Sequence, residues 1–73
     1  MTDSKFKYYL HDLGLLLKIR ALEAKRAKRS DFQDGRLFAF NEVISIMQQQ
    51  AEGFQIPLKE IQLDDIEPDK DLI

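Results

Sequence analysis

The 73-residue sequence contains no cysteine and no tryptophan. Without a thiol it can form no disulfide brace, no thiolate-bound zinc site and no cysteine nucleophile. Histidine occurs once, at His11, so the paired-histidine metal motifs of helices are excluded. Glycine is scarce too, and Gly14, Gly35 and Gly53 stand apart rather than clustering into a phosphate-binding loop. No stretch approaches the ~18 consecutive apolar residues of a membrane span. The opening MTDSKFKYY lacks the apolar core and small-residue cleavage site of a secretory leader, which sets a cytoplasmic location as the expectation. Charge of either sign is not in large excess: 11 basic against 13 acidic residues give a net charge of -2, which predicts no general attraction to nucleic acid.

Apolar residues are plentiful, at 44% of the chain, a fraction typical of folded domains. They concentrate in Leu10–Leu22, LHDLGLLLKIRAL. A helix turns about 100° per residue, so positions three and four apart share a face. Phe6, Tyr9, Leu10, Leu13, Leu16, Leu17, Ala24 and Ala27 then form one stripe, and Tyr8, Leu15, Ile19 and Leu22 a second. One neighbour requires one stripe, so two stripes predict two neighbours. The second stripe reads as a self-association surface, or as a face covered by the chain's own C-terminal residues. A two-helix hairpin of this length also buries little core by itself, which again favours a dimer.

In chain order, a first helix is expected over about 4–29, capped by Thr2, Asp3 or Ser4. Gly14, inside it, either admits a close helix approach or is a tolerated exposed glycine. Arg20 falls in the first stripe, so its stem should lie along the core and its guanidinium reach Glu42 or a C-terminal aspartate. The run Lys25, Arg26, Lys28, Arg29 suits the negative end of the helix dipole. Its sharper reading is a phosphate-binding patch or a localisation signal. Ser30-Asp31-Phe32-Gln33 has the form of a capping box, which starts a second helix at Asp31; the alternative start is Asp34. This helix should run to Gly53 as its C-cap, burying Phe32, Leu37, Ala39, Phe40, Val43, Ile44, Ile46, Met47, Ala51 and Phe54. Phe38 falls alone on the opposite side, and Gln48–Gln50 read as helix surface. A short helical turn is expected over 57–63, with Ile56, Leu58, Ile61, Leu63 and Ile66 clamped across the hairpin, then a flexible acidic tail over 64–73.

The resulting fold class is all-α: an antiparallel two-helix hairpin, a short C-terminal helical turn and an acidic tail, in one domain that dimerises into a four-helix arrangement. The alternation Asp65, Glu67, Asp69, Asp71 resembles a calcium loop only superficially, because it lacks the loop's glycine and closing glutamate and contains Pro68. His11 has no cysteine to pair with, and Ser30 lies nineteen residues along the chain. No catalytic residue, metal site or cofactor is predicted. The expected function is a non-catalytic, self-associating protein-interaction module of adaptor, regulatory or immunity type, with Tyr8, Leu15, Ile19 and Leu22 as the contact. The alternative is a nucleic-acid-binding regulator using Lys25, Arg26, Lys28 and Arg29.

Overall fold

Ser30 caps the second of two long helices. A computed structural model describes residues 3–73, and in it helix α1 spans Asp3–Arg26 and helix α2 Asp31–Gly53. Thr2, one of the expected caps of α1, lies outside the described residues. The first helix closes three residues earlier than expected. The Ala27 N–H makes the last helical bond, to Glu23 O at 3.0 Å, and Ser30 is extended, with φ -163° and ψ 166°. Residues 27–30 are needed as the link. The Ser30 hydroxyl accepts from the Gln33 N–H at 3.1 Å, satisfying one of the orphan donors at the start of α2. Asp31 and Asp34 then occupy its first turn, where the dipole favours them. The capping box is half made: the Gln33 side-chain Oε1 accepts instead from the Arg36 guanidinium at 2.9 Å.

Gly53 is the last residue of α2 rather than its left-handed cap. That conformation falls on Gln55, at φ 59°. The Gln55 and Ile56 N–H groups return to Glu52 O and Ala51 O at 3.0 and 2.7 Å, closing the helix with a paired Schellman motif. The chain then reverses into a 3-10 turn, Leu58–Ile61, and a one-turn helix, α3, over Pro68–Asp71.

The core keeps Leu10, Leu17 and Ala24 of the first α1 stripe and adds Gly14 and Ala21, which lie outside both stripes. On α1 the fully buried positions are Gly14, Ala21 and Ala24, with Leu10 and Leu17 packed beside them. These positions alternate by four and three, as along a coiled-coil seam. The matching line on α2 is Leu37, Phe40, Ile44, Met47 and Ala51. Small residues on α1 allow backbone to come close. A Cβ built on Gly14 would overlap the Ile61 carbonyl oxygen, so the neighbour admitted by this glycine is the 3-10 turn rather than a helix.

The acidic tail is not a loose end. Leu63, Ile66, Pro68 and Leu72 are buried, and Ile66 and Pro68 each sit between acidic residues that face water. Two amides on α2, seven residues apart and so on one face, hold the tail backbone. Gln48 donates to Leu63 O and Ile66 O at 3.0 and 2.9 Å, and Asn41 to Pro68 O at 2.8 Å. From α1, Lys18 donates to Asp65 at 2.7 Å and Lys25 to the Ile73 carbonyl. Gln48 is therefore a tail anchor, not helix surface.

Candidate functional site

The tail occupies one side of the hairpin. On α1 it lies against the arc of Gly14, Lys18 and Lys25, and on α2 against Asn41 and Gln48. Rotating about 100° per residue, Phe6, Tyr9, Leu13 and Leu16 of α1 and Ala39, Val43 and Ile46 of α2 fall on the other side. There the expected burial does not occur. Phe6 is 63% exposed, Leu16 55%, Ile46 53% and Phe54 74%. Tyr9, Val43 and Phe32 are exposed with them. Only the inner half of each broad stripe is used inside the chain.

At the open end of the hairpin this apolar surface sinks into a groove of about 260 Å³ lined by Leu10, Ile46, Met47, Gln50, Phe54 and Ile56. A neighbouring hollow of about 290 Å³ adds Phe6 and Lys7, and it shares Leu10, Ile56 and Ile61 with the groove. The apolar face is thus continuous from Phe6 on α1 to Phe54 beyond α2. Toward the turn end it carries Arg20, which is exposed and does not make the carboxylate contact expected of it. The tail ion pair belongs to Lys18. Arg36 lies over the Phe40 ring at 5.7 Å, a cation–π geometry.

The residues singled out from the sequence are dispersed. Leu22 packs against the core and Leu15 is half-buried, while Tyr8 and Ile19 remain exposed. The second stripe is therefore partly spent within the chain. Of the four basic residues, Lys25 reaches Ile73, Arg29 donates to Asp34 at 2.6 Å, and Arg26 and Lys28 are exposed. His11 neighbours Asp12 at 3.1 Å. The Ser30 hydroxyl caps α2 and that of Ser45 turns to Asn41. Among the described residues no three His, Asp or Glu side chains converge on a metal-sized site, and no helix is long and apolar enough to cross a membrane. The hydrogen bond from Lys18 holds the Asp65 carboxyl below its ordinary value.

The chain matches no protein-family model, no curated protein and no solved structure.

Proposed function

We propose that this chain is a small non-catalytic interaction module that self-associates and, as an adaptor, regulatory or immunity-type subunit, engages another protein. The observation that supports it is the apolar face opposite the tail, which the fold leaves in water. Monomeric soluble proteins rarely keep so much contiguous apolar surface exposed. The proposed setting is cytoplasmic, where a fold that depends on no disulfide is at ease. Light scattering over a dilution series tests the self-association: the reading expects a mass of twice the 8.6 kDa chain. A mass of one chain at every concentration rejects it. A nucleic-acid-binding reading draws less support, because Lys25 and Arg29 are engaged within the chain. Its signature is binding at low salt that falls steeply as salt is added.

A further inference from the structure

We infer that a second copy of this chain seats on the face opposite the tail, through Phe6, Tyr9 and Leu16 of α1 and Val43, Ile46 and Phe54 of α2. This inference rests on the self-association proposed above, and it moves the contact away from Tyr8, Leu15, Ile19 and Leu22.

Area is the first argument. With Phe32 at the turn end, these side chains leave on the order of 800 Å² of apolar surface in water. A standard protein interface buries about 800 Å² on each partner. The second stripe offers Tyr8 and Ile19 with two half-covered leucines, roughly 300 Å², within the range of ordinary monomer surfaces.

The distribution of charge and rings identifies the occupant. One half of the face, near the turn, bears exposed Arg20 and Phe32, with Arg36 already held over its own Phe40 ring. The other half, near the open end, bears the rings of Phe6, Tyr9 and Phe54. A two-fold axis perpendicular to the helices sets exposed Arg20 of each copy against the partner copy's aromatic half, where a guanidinium stacks favourably on rings. An axis parallel to the helices would bring the arginines together and is disfavoured. The face is thus complementary to itself, as an isologous contact requires. Two hairpin layers of ~36 Å helices then form an antiparallel four-helix bundle, with both tails on the outside.

The cysteine-free chain gives a clean test with single thiols. Leu16→Cys, Ile46→Cys and Ile19→Cys are made at positions exposed in the subunit, so the hairpin itself is not disturbed. Maleimide labelling rates are compared in concentrated and dilute protein, with mass measured by light scattering at each concentration. At the dimer mass, Leu16→Cys and Ile46→Cys should label about tenfold or more slowly than after dilution, and Ile19→Cys equally fast in both. A dimer that protects the thiol at position 19 but not those at 16 and 46 overturns the assignment of the face while self-association stands. A single-chain mass at every concentration removes both.

Discussion

Replacing Gly14 with alanine adds one methyl group to α1 at the point where the 3-10 turn crosses it. The helix gains about 1 kcal/mol from losing a glycine. Against that, the new carbon falls inside the envelope of the Ile61 carbonyl oxygen, a backbone atom that cannot swing aside as a side chain can. If the turn stays seated, the overpacking costs about 1–3 kcal/mol. If it lifts away, Ile61 and Leu63, both now buried, lose about 1.5–3 kcal/mol each. So severe an overlap favours the upper end of the first range or a partial lift, for a net loss of ~2 kcal/mol. In a domain of this size that lowers Tm by about 8–16 °C. Gly35 supplies the control, because a Cβ there meets nothing within 4 Å. Gly35→Ala should therefore stabilise by about 0.5–1 kcal/mol. The assay is thermal unfolding followed by far-UV circular dichroism, with all proteins at one concentration because self-association would make Tm concentration-dependent. If Gly14→Ala proves as stable as the parent, the close approach of turn to helix is refuted.

Gln48→Ala should cost about 1–3 kcal/mol, because the carbonyls of Leu63 and Ile66 lose their donor. Urea unfolding would show a lower midpoint, and faster amide exchange over 63–72 would localise the loss to the tail. Ser30→Ala should cost about 1 kcal/mol through the missing cap of α2, again read from the urea midpoint. Asp65 has a folded pKa lowered from 3.8 by Lys18. The pair therefore contributes stability above that value and loses it as pH falls through the lower folded one. The Tm difference between the parent and Asp65→Asn should shrink toward zero on acidification below about pH 4, and a difference that stays constant would contradict the assignment.

Some local signals in the sequence were legible, while the glycine cap expected at Gly53 falls instead on Gln55. Ser30 with Gln33 marked the start of α2, and Pro57 marked the approach to the 3-10 turn. Hydrophobic periodicity placed Leu10, Leu17 and Ala24 of α1 toward the core but missed Gly14 and Ala21, because these buried positions carry the smallest residues. Gly14, Ala21 and Ala24 add little to an apolar count, yet they let neighbouring backbone approach. Phe6, Tyr9 and Leu16 dominate that count and lie outside. The tail misled through composition. Its acidic residues outnumber Ile66, Pro68 and Leu72, but burial is decided by those three. A trace of the tail's anchor was present in Asn41 and Gln48, seven residues apart and adjacent to the buried line of Leu37 and Ile44. Their recipients are backbone carbonyls, which carry no residue code, so the pairing became apparent only in three dimensions.

The route by which the tail returns to α1 has a kinetic consequence. Lys18 and Asp65 are 47 residues apart along the chain, a long loop to close from an unfolded state. Once α1 and α2 have zipped through their short link, the remaining search is measured from α2 instead, 15 residues from Gln48 to Leu63. Closing the hairpin first converts a distant encounter into a near one. Connectivity therefore predicts that the tail docks after the hairpin has closed, and it makes the tail's return depend on α2 more than on α1.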